Sequence, residues 1–440
     1  MKKLNILCEI DLLGRAEINK EHRTGLFCVC ENIINELSKN KNINISFCSI
    51  TVPSKYCNKY LKTNSLLKDY KCVWLGSFKD KLFYTLNNKR FLVKKRVENS
   101  KNKVSKKFWK FAGLCFRLLR GIVKFIPSKE FDINQKFNHI DVYQSFYFAI
   151  PSFINKNQKI KKAIFVYDLI PLKFPELVNV KKKKLNNKPE QFCKILDSIQ
   201  KNTLIFSISD YTKKDLIKFY PNLKNNKIIT TYLAADKEKF FVQEKKIEKS
   251  LKKYNISLDK PYFLSLCSLN PRKNLEFTVD CFVEFLEKNK IKDRVNLVLA
   301  GPGGWQFDSL LNKIDKNGKF KENIIVTGFI DDQDINSIYN EAFGFVYPSL
   351  YEGFGLPVLE AMQCGIPVIT SNTSSLPEVA ENAAIIVDPK NKKELIKGFE
   401  DLYKDDKLRK KLIKDGLNRS KKFEWEKTVD KVIKEYINIL

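Results

Sequence analysis

Between Tyr347 and Thr370 the chain reads YPSLYEGFGLPVLEAMQCGIPVIT. This stretch holds the residues whose types and spacing best support chemistry. Gly353 and Gly355 let a backbone approach a ligand closely. Pro357 suits the first turn of a helix and Gly365 its end. The free N–H groups of a helix start favour an anion, so Gly353–Leu356 read as a phosphate cradle at the carboxyl end of a strand. Glu352 and Glu360 flank it. A carboxylate beside a phosphate repels it unless the carboxylate accepts from hydroxyls. Sugar hydroxyls are the natural donors, so two acids point to a ribose and a second sugar. The plain alternative is a strand–turn–helix corner. Paired glycines, the proline and both acids together favour the binding reading.

Such a cradle needs a parallel sheet to hold it. After residue 256, β-branched and aromatic runs recur at Tyr262–Cys267, Val295–Ala300, Asn323–Thr327, Phe343–Tyr347, Ile366–Thr370 and Ala384–Val387. Helix-length segments separate most of them, such as Leu275–Lys288 and Gln333–Glu341. Strand and helix in alternation predict a parallel sheet with helices on both faces. The first half repeats the grammar less cleanly. Its candidate strands are Leu4–Ile10, Ile43–Thr51, Ala163–Tyr167, Leu204–Ser209 and Ile228–Tyr232, with helices starting near Gly25 and Tyr211. The chain has 440 residues, and a prior of roughly 150 per domain gives about two or three domains. The polar, lysine-rich stretch 242–260 is the expected boundary.

Composition narrows the class. An apolar content of 43% and an aromatic content of 12% exclude wholesale disorder. No apolar run reaches the roughly 18 residues of a membrane-spanning helix. The first apolar stretch is cut by charge too early for a secretory leader. The 11 cysteines form no CxxC pair and read as reduced core thiols, Cys28 and Cys30 included. Charge is uneven. Residues 1–256 hold 53 basic and 22 acidic residues, and the remainder 27 and 28. The first half therefore faces something anionic: a membrane surface, an acidic glycan or nucleic acid. Within it, 101–126 reads KNKVSKKFWKFAGLCFRLLRGIVKFI. Lys103, Lys106, Lys110, Arg117, Arg120 and Lys124 fall on one helical face. Val104, Phe108, Phe111, Ala112, Cys115, Leu118, Leu119, Ile122 and Ile126 fall on another, widened by Trp109, Phe116 and Phe125. This fits either an interfacial membrane helix or an amphipathic helix packed on its own domain.

The 347–370 segment resembles the GT-B glycosyltransferases of the retaining family 4 type. Glu352 and Glu360 stand at that family's E-x7-E spacing. The resemblance continues at Ser268-Leu269-Asn270-Pro271-Arg272-Lys273-Asn274, Leu299-Ala300-Gly301, Val326-Thr327-Gly328-Phe329 and Ser375-Leu376-Pro377-Glu378-Val379. Before residue 260 it is patchier: Arg23-Thr24-Gly25-Leu26, Asp168-Leu169-Ile170-Pro171-Leu172 and Ser207–Leu216. Residues 52–135 match none of the family's patterns.

The resemblance implies an α/β chain of GT-B architecture, two Rossmann-like domains with parallel sheets facing across a cleft. An acceptor domain would span 1–250 with a basic insertion at about 52–135. A nucleotide-sugar donor domain would span 255–420, and the last helix, 421–440, would pack back on the first domain. Arg272 and Lys273 would bind the donor diphosphate, where negative charge grows as the glycosidic bond breaks. Backbone from Gly353 through Phe354 and Gly355 to Leu356 would meet the phosphates, with Ser268 nearby. Glu360 would hold ribose hydroxyls and Glu352 the transferred sugar. Gly25 would let an N-terminal loop close over the phosphates, and backbone near Phe329 would meet the base. Asp168, at the interdomain strand end, would be catalytic together with Glu352, Arg272 and Lys273. No cofactor and no metal are implied.

Some features depart from the family. Its usual histidine before Asp168 is Tyr167 here. The usual glycine after the first donor-domain strand is replaced around Cys267-Ser268. His22 adjoins the Arg23–Gly25 loop and reads as a surface residue; His139 reads as structural. Asp332-Gln333-Asp334 has D-x-D spacing but precedes a helix, which capping explains. Lys181–Lys184 reads as a solvated turn. The expected function is hexose transfer with retention, from GDP-mannose or a UDP-linked hexose, to a glycan or lipid-linked acceptor. The expected place is cytoplasmic, peripheral on an anionic membrane face, with no nucleic-acid partner. The rivals are a polyanion-binding protein on a degenerate fold, and a phosphorylase or sugar-nucleotide hydrolase.

Overall fold

The computed structural model describes residues 3–19, 25–100, 102–123, 125, 131, 133–175, 190–244, 248–304 and 306–440. Among them the strands are β1 (Leu4–Glu9), β2 (Ile43–Ser49), β3 (Cys72–Trp74), β4 (Val142–Ser145), β5 (Lys161–Val166), β6 (Leu204–Ser207), β7 (Ile228–Thr230), β8 (Tyr262–Leu266), β9 (Asn296–Ala300), β10 (Ile324–Gly328), β11 (Gly344–Tyr347), β12 (Val368–Ser371) and β13 (Ile385–Val387). One sheet has the order β3-β2-β1-β4-β5-β6-β7 and the other β10-β9-β8-β11-β12-β13. Pairs β1–β2, β1–β4, β8–β9, β8–β11 and β11–β12 all run parallel.

Contacts divide the chain into two compact units. One comprises Met1–Phe165, Ile195–Ile205 and Ile433–Leu440; the other comprises Val166–Lys194 and Phe206–Val432. The stretch 242–260, where composition places the boundary, lies inside the second unit. Strand ends preceding it, with the helix Asp210–Phe219, already bond to loops of that unit. Thr212 Oγ1 donates to the Gly353 carbonyl (3.2 Å), and Glu378 accepts from the N–H groups of Asp210 (2.8 Å) and Tyr211 (2.6 Å).

In the second unit the central strands of the sheet are buried on both faces. Strands β9, β11 and β12 are buried at every position. The helix Leu275–Asn289 buries Leu275, Val279, Phe282 and Leu286, the three- and four-residue spacing of one helical face. Phe263 on β8 meets the rings of Phe282, Phe285, Phe343 and Phe399 at 4.9 to 6.4 Å.

In the first unit two strands escape sequence reading. β3 is only three residues long, and β4, Val-Tyr-Gln-Ser, is half polar yet wholly buried. Gln144 in β4 accepts from Tyr436 Oη at 2.6 Å, within the same unit. Of the cysteine pair on the helix Gly25–Lys39, only Cys30 is core; Cys28 is exposed, because the two sit 200° apart on a helix. His139 is exposed beside Phe137 rather than packed inside.

The 101–126 segment forms the helix Lys103–Val123, which pairs with the helix Phe78–Asn99. Ser77 and Asp80 close a capping box at the start of the latter. The helix Lys103–Val123 has three sectors rather than two faces. Arg120 turns inward, donating to Asn87 (3.2 Å) and lying over Phe83. Trp109 and Phe116 also turn inward, under Arg96 and Lys89. Lys124 and Ile126 lie outside the described residues, as do His22, Arg23, Thr24 and Lys181–Lys184.

Candidate functional site

Strand order reverses between β8 and β11: β9 and β10 lie on one side, β12 and β13 on the other. Parallel sheets bind ligands in the crevice beyond the carboxyl ends of strands at such a switch point. The loops leaving β8 and β11 carry Arg272, Lys273 and Glu352. They are tied together by the Leu350 N–H, which donates to the Arg272 carbonyl at 2.9 Å.

Glu352 is the centre of a buried charge cluster. Its Oε2 pairs with Arg272 Nη1 at 2.6 Å. Its Oε1 accepts from Lys273 Nζ (2.7 Å), Ser349 Oγ (2.6 Å) and Tyr347 Oη (3.0 Å). Burial alone would raise the Glu352 carboxyl, but Arg272 and Lys273 outweigh it and hold it at about 2. Burial, then repulsion from Arg272, lowers Lys273; burial would lower Arg272 too, but Glu352 outweighs it and raises that guanidinium. These two cations and one carboxylate sum to one positive charge, with the Asp168 carboxyl near enough to act on both cations. In this state both cations rest on Glu352 itself.

The next four residues are those expected to form the cradle. Gly353 lies against the loop after β5: a Cβ there would sit 2.3 Å from the Tyr167 carbonyl oxygen and 3.0 Å from Asp168 Cβ. Gly355, at φ +122°, occupies the left-handed region and precedes the helix Leu356–Gln363, with Pro357 in its first turn. The N–H of Glu352 donates to Ser374 Oγ at 2.8 Å. Among the described residues, none accepts from the N–H groups of Gly353, Phe354, Gly355 or Leu356. Ser375 Oγ instead holds the carbonyls of Glu352 (3.0 Å) and Phe354 (2.7 Å), fixing the loop by its acceptors and leaving its donors open. The Phe354 ring is buried against Tyr232 and Phe423.

Glu360 sits one turn into that helix, partly exposed, and accepts from Tyr339 Oη at 3.0 Å. The low polarity around it raises its carboxyl to about 7, against the opposing pull of Tyr339 and Lys239. Asp168 accepts from the Ile170 N–H at 3.0 Å. Burial raises its carboxyl, with Arg272 opposing. Tyr167, in the place of the family's histidine, is buried, and its carbonyl accepts from Thr212 Oγ1 at 3.2 Å.

Ser268 is exposed on the loop after β8, where its Oγ accepts from Asn270 Nδ2 (3.3 Å). Cys267 before it is buried, its N–H donating to the Ala300 carbonyl (2.9 Å). Phe329 is exposed on the loop after β10. Gly25 is in the first unit, at the start of its helix, where a Cβ would meet nothing within 4 Å. Asp334 stands at a helix N-cap but makes no side-chain cap bond. Its carboxylate turns instead to Ser250 (2.8 Å), Lys253 (3.0 Å) and Tyr254 (2.8 Å), because the cation outcompetes a neutral N–H. Asp332 pairs with Lys239 at 2.7 Å.

Sequence reading misses a supporting network. Tyr351 Oη donates to Asp215 (2.7 Å), which pairs with Lys173 (3.1 Å); Lys173 lies over the rings of Tyr351 and Tyr211. The Tyr351 carbonyl accepts from Arg272 Nη1 at 2.6 Å. These residues therefore brace the guanidinium from behind. Tyr351 adjoins Glu352 in sequence, which is the one signal that could have found it.

Comparison with known proteins follows this geometry. Residues 246–419 match the glycosyl transferases group 1 family. O-antigen chain mannosyltransferase B of Escherichia coli is 32% identical over 240 residues, covering 54% of this chain and 62% of that protein. The serotype-specific mannosyltransferase WbdA of Escherichia coli is 31% identical over 287 residues, covering 64% of this chain and 34% of that protein. The chain thus spans less than two thirds of either relative. Sucrose-phosphate synthase from Thermosynechococcus elongatus shares the fold over 100% of this chain and 99% of its own, with a TM-score of 0.66 at 16% identity. The architecture is of the GT-B type, with two parallel-sheet α/β domains.

Proposed function

We propose that this chain, whose residues 246–419 match the glycosyl transferases group 1 family, moves a hexose from a nucleotide sugar to a glycan or lipid-linked acceptor in surface polysaccharide synthesis. Mannose from GDP-mannose is the favoured donor, because mannosyltransferases recur among its relatives; a UDP-linked hexose is the alternative. The observation that carries the reading is the buried Arg272–Glu352–Lys273 cluster beside four open N–H donors at the switch point of the second sheet.

The mechanism follows from the charges. A donor diphosphate set on the Gly353–Leu356 N–H row draws Arg272 and Lys273 from Glu352. That frees carboxylate lone pairs for hydroxyls of the transferred sugar, while Glu360 accepts from the ribose. As the bond from the anomeric carbon to the diphosphate breaks, charge grows on the phosphate oxygens next to both cations. The acceptor oxygen attacks from the same face, and its proton passes to the departing diphosphate. Retention follows without an enzyme nucleophile, and neither metal nor cofactor is required. The acceptor is taken at the inner face of the cell membrane.

Glu360→Ala is the cleaner test than Glu352→Ala. Removing Glu352 strands two buried cations, at a cost of about 3–5 kcal/mol in stability. Glu360 pairs only with Tyr339 among the described residues. Nucleoside diphosphate release from GDP-mannose and from UDP-hexoses, with an acceptor extract, should fall at least about a hundredfold in Glu360→Ala. Unchanged release would sink the site assignment, and release without any acceptor would favour a hydrolase.

A further inference from the structure

We propose that the helix pair Phe78–Asn99 and Lys103–Val123 is a docking surface for an anionic bilayer, lying in the interface rather than crossing it. This deepens the membrane-acceptor reading above, on which its purpose rests.

The helix Lys103–Val123 exposes Val104, Phe108, Phe111, Leu114, Leu118, Leu119 and Ile122 along one sector, at spacings of mostly three and four. Phe108, Phe111, Leu118 and Ile122 are each 60 to 65% exposed, and Phe125 beyond the helix end 87%. Phe91 and Leu92 of the neighbouring helix are also exposed. The sector facing the partner helix is a different one, with Trp109, Phe116, Arg120 and Val123. Packing of the pair therefore leaves the apolar stripe open.

The stripe is bordered by exposed Lys106, Lys107, Lys110 and Arg117. The helix that carries it has six basic residues and no acid; its partner has seven and two. Charge decides the occupant. A second copy of this chain would set these cations against their own kind, whereas an anionic leaflet neutralises them while its acyl region takes the aromatic and aliphatic stripe. No helix among the described residues is long and apolar enough to cross a membrane. At about 1.5 Å per residue, this 21-residue helix lies roughly 31 Å along the surface.

The test is sedimentation of the full chain with vesicles of mixed phosphatidylglycerol and phosphatidylcholine, and with pure phosphatidylcholine. Binding is expected to the first and not the second. One variant combines Phe108→Ser, Phe111→Ser, Leu118→Ser and Ile122→Ser; another combines Lys106→Gln, Lys107→Gln, Lys110→Gln and Arg117→Gln. All eight positions are exposed, and circular dichroism checks that each set folds. Each set should weaken binding at least about tenfold. Equal binding to both vesicle types, unchanged binding in either set, or a solution dimer that the serine set turns to monomer would overturn the proposal. Nucleotide thermal shifts on the same samples test the donor site separately. Vesicle binding without nucleotide binding would sink the proposed function and leave this surface standing.

Discussion

Glu352 and Glu360 have the same side chain and opposite electrostatics. Glu352 is held at about 2 because two cations outweigh its burial; Glu360 is raised to about 7 because its burial outweighs the opposing pull of Tyr339 and Lys239. Their contributions to stability run in opposite senses. Glu352 contributes stability that is present above pH 4.5, its ordinary value, and is lost as pH falls toward 2. Glu360 contributes stability that is full below pH 4.5 and is lost as pH rises through about 7. An ionised carboxylate accepts from ribose hydroxyls more strongly than a neutral carboxyl, so nucleotide affinity should rise by up to about tenfold from pH 6 to pH 8. Glu360→Gln should flatten that profile, and titration calorimetry at both values reads it. A wild-type profile as flat as the variant's would show that Glu360 does not meet the ligand in its charged form.

At the scale of elements, the cradle depends on how closely the loop after β11 meets the loop after β5. The Tyr167 carbonyl leaves no room for a Cβ at Gly353. Gly353→Ala must therefore push the backbone, at a cost of about 1–3 kcal/mol, and displace the N–H row. Nucleotide binding should be lost while the circular dichroism spectrum stays native. Retained affinity in a folded variant would mean that the row does not hold the phosphates. The glycines, the proline and both acids of this loop were legible because turn chemistry is local. So were most strands of the second unit, whose apolar runs are continuous. Strand β4 was not, since Gln144 becomes buried only once Tyr436 supplies its partner from 292 residues away. The brace of Tyr351, Asp215 and Lys173 was hidden for the same reason: 136 residues separate Tyr351 from Asp215. The three-sector helix was half legible. Periodicity separates apolar from basic positions, but only packing shows that Arg120 turns inward.

Across the whole molecule, charge and chemistry fall in different parts of the sequence. Residues 1–256 carry a net +31 and the remainder a net −1. In the docking proposed above, the cationic excess serves attraction to an anionic surface, while the Arg272–Glu352–Lys273 cluster of the proposed donor site sits in the near-neutral part. A polyanion-binding protein would need only the former; a glycosyltransferase acting at an anionic membrane, as proposed, needs both. A thermal-shift screen of the full chain with GDP, UDP, ADP and their sugar conjugates separates these most directly. One nucleotide class should stabilise the protein, by about 2.7 kcal/mol at about 100 times its dissociation constant, and Lys273→Gln should remove the shift. No shift with any nucleotide in a folded sample, together with salt-dependent binding of oligonucleotides, would contradict the account.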